Sequence, residues 1–369
     1  MNELEYRAAA ALRELLAQVP VIALTAVDVA PRKWPDILAH IDVSGRRRTL
    51  ICEIKASGQP RHVRTALLQL REYAAPLGDA AVPLFIAPYL SPEAQALCRQ
   101  HQVGFLDLQG NARLVFDGVF IERLVASKPP AERRELKSIF KPKSAQVLRV
   151  MLRDPRRAWR VAELAAAADV SLGHVSNVRN ALLDREWANA DQDGLFLSEP
   201  DALLDSWRNV YEPPAGRRLG FYTTLHGSAF EEAARKGLDA GNKSGLALLA
   251  SFSAAKWLAP YARAGTQYFY ADDAGLNALR IELKLSATTK GENVLVILPK
   301  DRGLLHDAVE PAPGIVCTSP VQTYLDLAAA GERGREAAEH LRKERLAWPR
   351  WLPPSRSRRP TMTTARLRR

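Results

Sequence analysis

The chain has 369 residues, 47% hydrophobic and 25% charged. That composition excludes a disordered polymer, a collagen and a coiled-coil rod, and at roughly 150 residues per domain the length predicts two or three domains. The net charge of +11 is concentrated: residues 133–160 hold ten basic side chains against Glu135 and Asp154, and residues 349–369 hold seven arginines and no acid. Positive blocks of this kind suit a polyanion such as DNA.

Three scattered cysteines, Cys52, Cys98 and Cys317, form no CxxC pair. Neither a disulfide scaffold nor a structural zinc site is predicted, and a reducing compartment fits. The opening MNELEYRAAA is not a signal peptide, and no apolar run of about 18 residues occurs, so a cytoplasmic chain without a membrane partner is expected.

In chain order, residues 4–18 have apolar positions at helical spacing. DILAHIDVSG and RRRTLICEIKA read as a hairpin around Ser44-Gly45, and PRHVRTALLQLREYAA as an amphipathic helix. VPLFIAPYL is a short apolar strand, and Ser91-Pro92-Glu93 starts a helix with an N-cap and Pro at its first position. VGFLDL and ARLVF are further strands. An α/β sheet of about five strands with helices on both faces is predicted over 1–128, followed by a Pro/Lys/Arg-rich break at 127–144 and a looser one at 199–218.

Within RTLICEIKAS the side chains alternate, so Leu50, Cys52 and Ile54 share one face, and Ile51, Glu53 and Lys55 the other. A turn at Gly45-Arg46 sets Asp36 opposite Lys55, with Glu53 one pair away; a turn two residues off brings Asp42 there instead. Two carboxylates suit a hard cation, Mg²⁺ or Mn²⁺, held by Asp36 and Glu53. Lys55 then orients water or stabilises developing phosphorane charge. The same residues also suit a cross-strand ion-pair face. Pro35-Asp36 followed by Glu53-Ile54-Lys55, with helix–hairpin–helix–strand order around them, resembles the PD-(D/E)XK nuclease superfamily over residues 1–125. Gln69 to Tyr73 resembles the QxxxY element of its exonuclease branches. The resemblance implies a restriction-endonuclease-like fold with Asp36, Glu53, Lys55 and Gln69 as catalytic residues, or a fold of that type that only binds DNA. It also offers Glu14 as an extra acid. Asp107, Asn111 and Arg113 read as a polar turn.

Residues 144–155 and 158–170 read as two helices, and Ser171 caps a third with a stripe of Leu172, Val175, Val178 and Leu182. The turn around Asp193-Gly194 lies between short strands. This is the winged helix-turn-helix order, predicted over 140–200, whose third helix enters the major groove. Ser171, His174, Asn177 and Arg179 are candidate contacts to duplex DNA, with Arg156 and Arg157 from the flanking basic run.

Residues 215–346 mix strands (QYFYADD, RIELKLS, ENVLVILP, GIVCTSP) with helices, among them ALLASFSAAKWLAPYA, in an α+β domain without a dense polar constellation. SPVQTYLDLAAAGERGREAAEHLRKE resembles the C-terminal segment of AbiEi-type antitoxins of type IV toxin–antitoxin systems, with the likeness covering roughly 144–345. It implies a transcriptional regulator with a toxin or other protein partner at the C-terminal domain. Residues 349–369 read as a disordered basic tail. The fold class is thus α/β and α+β multidomain. A regulator that binds double-stranded DNA is expected first, and a Mg²⁺- or Mn²⁺-dependent nuclease targeted by the winged helix is the alternative.

Overall fold

The computed structural model describes residues 3–29, 35–125, 128–261, 265–288 and 290–348. The tail at 349–369 lies outside the described residues. The chain is a mixed α/β multidomain protein with two seven-stranded sheets.

The first sheet runs in chain order. Helix α1 (Glu3–Ala17) precedes β1 (Ile22–Val29), β2 (Ile37–Val43) and β3 (Arg46–Ile54); α2 (Pro60–Ala74) leads to β4 (Ala81–Ala87), and α3 (Pro92–Gln100) to β5 (Gly104–Asp107), β6 (Ala112–Phe116) and β7 (Val119–Arg123). The sheet has two strands more than the sequence suggested, because β1 and β7 are edge strands with mixed patterning. The middle pairs β3–β4 and β4–β5 are parallel and the outer pairs antiparallel. Parallel strands need coverage on both faces. On one face α1 packs Leu12, Leu15 and Leu16 against Leu50, Cys52 and Ile54. On the other, α2 and α3 pack Val63, Leu70, Tyr73 and Leu97 against Ile51, Phe85 and Phe105.

The hairpin turn is Ser44-Gly45, closed by the pair Val43–Arg46, with φ of 51° and 84°. Two positive φ values suit a two-residue hairpin, and Gly at the second position meets one of them without strain. Asp42 Oδ1 accepts the Gly45 N–H at 2.7 Å, which fixes this turn. The register therefore differs by one turn position from the Gly45-Arg46 expectation, and Ile37 pairs with Cys52.

The next unit holds α4 (Pro130–Ile139), α5 (Pro142–Arg153), α6 (Val161–Ala168) and α7 (Leu172–Asp184), then a hairpin of β8 (Ala188–Ala190) and β9 (Leu195–Leu197). The predicted break at 127–144 is in large part helical: α4 buries Leu136 and Ile139 while its basic residues stay outside. A β-bridge from Trp159 to Leu195 adds a third edge to the small hairpin.

Helix α8 (Pro200–Val210) occupies the second predicted break, held by its buried Leu203, Leu204 and Trp207. Then follow β10 (Gly216–Tyr222), α9 (Gly227–Ser244), β11 (Ala247–Leu249), α10 (Ser251–Leu258), β12 (Gln267–Ala271), α11 (Asp273–Glu282), β13 (Ser286–Ala287), β14 (Val294–Pro299), β15 (Ala308–Ala312), β16 (Ile315–Thr318), α12 (Pro320–Ala328) and α13 (Gly331–Arg345). The sheet order is β13-β10-β14-β12-β11-β16-β15. Two local readings are corrected here. RIELKLS is the end of α11 and the turn after it, since Asp272 caps that helix from ahead. ALLASFSAAKWLAPYA splits into β11 and α10. One hydrophobic core runs from Leu136 to Leu346, through both the α4–β9 unit and the second sheet.

Candidate functional site

Asp36 stands one residue before β2, at the end of the hairpin farthest from its turn. Continuing the observed register places it opposite Glu53, two residues short of Lys55, the partner expected. Its Oδ2 accepts the Ile54 N–H at 2.7 Å, so the carboxylate is tied to the strand that carries Glu53. Asp42, the alternative, pairs with Arg47 at the far end and serves the turn.

Glu53 is 4% exposed. Its Oε1 accepts from Lys55 Nζ at 2.5 Å, on the face shared with α2. Burial raises the Glu53 pKa; the Lys55 contact opposes that rise and the nearby Asp36 charge adds to it. The Cys52 thiol beneath is pushed up by burial and then by Asp36. The phenol of Tyr73 rises through burial, then through the charges of Glu53 and Asp36. Tyr73, the tyrosine of the QxxxY resemblance, thus lies in the field of both carboxylates, although only Gln69 of that pair was expected among the catalytic residues. Gln69, one turn earlier, has its Oε1 buried with no hydrogen-bond partner among the described residues. Asp36, Glu53, Lys55 and Tyr73 thus converge, with Gln69 on the adjoining turn of α2. Glu14 does not join them, because it is exposed on α1, which covers the opposite face of the sheet.

Among the described residues no group of three His, Cys, Asp or Glu side chains is arranged to hold a metal ion. Two carboxylates are nevertheless the donor set that Mg²⁺ commonly takes, with waters completing its shell. The orphaned amide oxygen of Gln69 is a hard ligand suited to such a shell. The residues present therefore fit a Mg²⁺ or Mn²⁺ ion. Asp107 is engaged elsewhere. It accepts from Leu90, Gln109 and Asn111 backbone N–H groups and from Asn111 Nδ2, which stitches a polar turn.

The second candidate surface is α7. Ser171 caps it, its Oγ accepting the His174 N–H at 3.4 Å and lying 2.9 Å from His174 Nδ1. Val175, Val178 and Leu182 are buried, while Leu172 is 56% exposed and drops out of the predicted stripe. The exposed face carries Gly173, Ser176, Asn177 and Asn180; His174 borders it, and Arg179 lies half-buried on the flank. Of the predicted contacts, Asn177 is thus the most central, with Asn180 beside it. Ser176 was missed because counting Leu172 into the apolar stripe turned the expected polar face away from it.

The C-terminal end of α7 meets α2. Asp184 lies 3.6 Å from Arg61 and 3.7 Å from His62, and Glu186 accepts from Arg64 at 2.6 Å. Only the earlier turns of α7 project freely. Arg156 and Arg157 are exposed on the loop between α5 and α6. The Arg157 guanidinium stacks 3.7 Å over the Trp159 ring, at the base of the small hairpin.

A third cluster contradicts the reading of residues 215–346 as lacking a polar constellation. Arg149, 4% exposed, donates to Gln322 at 3.2 Å and faces Asp307 at 3.2 Å. Gln322 donates to Tyr211 and Asp326, and Asp326 accepts from Tyr211 at 2.5 Å and Tyr270 at 3.1 Å. These residues are spread along the chain from position 149 to position 326, so no local pattern announces them.

Residues 196–347 match the model of a family described as transcriptional regulator, AbiEi antitoxin, type IV toxin–antitoxin system. This stretch is similar to that family. It begins at β9 and includes the segment 319–344 that carries the resemblance, but not α5 to α7, so it is shorter than the 144–345 expected. Two solved structures are similar to part of the chain. One, of EndoMS in apo form, is 16% identical, covering 27% of this chain and 45% of that one with a TM-score of 0.22. The other, of an EndoMS–dsDNA complex, is 20% identical, covering 28% and 44% with a TM-score of 0.20. The chain spans less than half the length of either. No curated protein matches it. No helix among the described residues is long and apolar enough to cross a membrane.

Proposed function

We propose that this chain is a DNA-binding transcriptional regulator of the type IV antitoxin kind, with α5 to β9 as a winged helix-turn-helix and α7 as its reading helix. The observation that carries the reading is the exposed polar face of α7, set opposite its buried Val175, Val178 and Leu182 and immediately ahead of the AbiEi-like region. Short amide and hydroxyl side chains on such a face hydrogen-bond base edges in the major groove. The free end is the N-terminal one, the end a reading helix presents to bases. Arg156 and Arg157, beside the hairpin, contact phosphates and set register. The AbiEi-like region is the docking platform for a toxin or other protein partner, and residues 1–128 are a nuclease-like module that extends the DNA or protein surface. The setting is cytoplasmic.

The test is a gel-shift titration with DNA from upstream of the chain's own reading frame. Asn177→Ala with Arg179→Ala is expected to weaken specific binding by about 1–3 kcal/mol for each base no longer read. Unchanged affinity and sequence preference would remove α7 from the interface.

The cluster on β3 supports a second reading, a Mg²⁺- or Mn²⁺-dependent deoxyribonuclease. Asp36 and Glu53 would hold the cation, which when bound polarises a phosphodiester and makes a bound water more acidic. Lys55, released from Glu53, places its ammonium where phosphorane charge develops. Gln69 and Tyr73, one turn apart on α2, orient groups around the carboxylates.

A further inference from the structure

A cavity of about 490 Å³ opens where α5 and α8 meet the end of β14. Its size suits a small organic ligand. One wall is the stacked pair Phe140 and Trp207, with ring centroids 5.4 Å apart and planes at 11°. Flat, apolar surface of that kind takes a flat, apolar body.

The floor is cationic. Arg149 reaches the cavity from α5, beside Gln322. Its Nε lies 3.2 Å from an Asp307 oxygen, yet makes no hydrogen bond among the described residues. A buried guanidinium with unused donor capacity is costly unless an acceptor completes it. At the mouth, Lys141 and Lys300 form no salt bridge among the described residues, whereas Lys137 is neutralised by Glu212 at 2.7 Å. The other acid on the lining, Asp301, caps the short turn that follows it by accepting from Gly303.

We propose that this cavity is a binding site for a small aromatic carboxylate, its ring against Phe140 and Trp207 and its anion shared by Arg149, Lys141 and Lys300. The occupant would touch both α5, on which α6 and α7 pack, and the second sheet, and so would act as an effector that sets the spacing between them. The site stands whether or not α7 binds DNA.

The test uses the full chain and three probes, benzoate, indole-3-carboxylate and 1-naphthoate, with 1-naphthamide as the neutral counterpart, followed by calorimetry. Saturable binding of at least one acid is expected, with 1-naphthamide about tenfold weaker than 1-naphthoate through loss of charge-assisted hydrogen bonds. Lys141→Ala with Lys300→Ala, both exposed and outside the core, is expected to weaken the acids about fivefold or more and leave the amide unchanged. Trp207→Phe should keep binding while removing the ligand-dependent change in tryptophan emission. No saturable binding by any of the three acids, equal affinity for acid and amide, or an unchanged double variant would each overturn the proposal.

Discussion

Glu53 is nearly sealed from water, yet its counter-ion Lys55 is partly exposed and Asp36 adds like charge beside it. A divalent cation between the two carboxylates would relieve that repulsion and bind the native state only, which raises the melting temperature by mass action. Mn²⁺ is therefore expected to stabilise the full chain, with the effect lost in Glu53→Gln and kept in Asp42→Asn, whose carboxylate serves the hairpin turn. Plasmid nicking in Mn²⁺ should vanish in Lys55→Ala while the thermal shift remains. A wild-type chain whose melting is indifferent to Mn²⁺ would reduce the cluster to an ion pair. Asp326 makes a separate case. Burial lifts its pKa from 3.8 to about 6, outweighing the hydrogen bonds from Tyr211, Gln322 and Tyr270 and the charge of Arg149. A carboxyl with a raised folded-state pKa makes the native state bind more protons than the unfolded chain, so stability falls as pH rises from about 4 to 6. Asp326→Asn keeps an acceptor at Oδ1 and removes the buried charge, and Arg149 retains Asp307. Urea melts should then show a flatter pH profile over that window and a gain of about 1–3 kcal/mol at pH 7.

Helix α7 turns one sequence into two surfaces. Leu182 is fully buried, whereas Leu172, ten residues earlier, stands at the first turn and is half exposed. Ten residues cover almost three turns, so the two side chains project about 80° apart, enough to put one in the core and the other at its margin. Leu182→Ala is expected to cost about 2–5 kcal/mol in chemical denaturation, and Leu172→Ala no more than about 0.5 kcal/mol. Equal losses would mean that α7 is rotated from the phase described. The β2–β3 hairpin shows the same sensitivity. Moving the turn from Gly45-Arg46 to Ser44-Gly45 changes the residue opposite Asp36 from Lys55 to Glu53, because pairing across a hairpin shifts by two for each one-residue move of the turn.

At the scale of the molecule, the α4–β9 unit and the α8–α13 region share one core, while residues 3–125 keep their own. The two bodies meet through polar contacts: Gln59 to Glu132 at 2.9 Å, Arg64 to Glu186 at 2.6 Å, and Arg61 and His62 to Asp184. On the proposed DNA-binding reading, the basic blocks would add a sequence-independent term that counterion release makes salt-dependent. Deleting residues 349–369, with their seven arginines, is expected to flatten the plot of log affinity against log salt, by about 0.9 for each phosphate no longer neutralised, and to leave melting nearly unchanged. An unaltered slope would place the tail away from DNA.

The alternation in RTLICEIKAS, the cap at Ser171 and the apolar period of α7 were legible without coordinates, because strand pleat and helix pitch are local properties of the chain. So was the place of Asp36 at the open end of the hairpin, although the residue opposite it was not: register depends on which residues take positive φ in the turn, and Asp42 accepts from Gly45 there. The field that Asp36 and Glu53 exert on Tyr73, and the orphaned oxygen of Gln69, arise only when α2 is laid across β3. Leu172 fell outside the stripe for the same reason, since a period marks a face but not where the core ends. The buried network of Arg149, Asp307, Gln322 and Asp326 and the cavity above it needed the tertiary structure entirely. Each of its polar groups is unremarkable beside its sequence neighbours, and burial joined them across more than 150 positions, where charge and hydrogen bonding cannot be read from spacing.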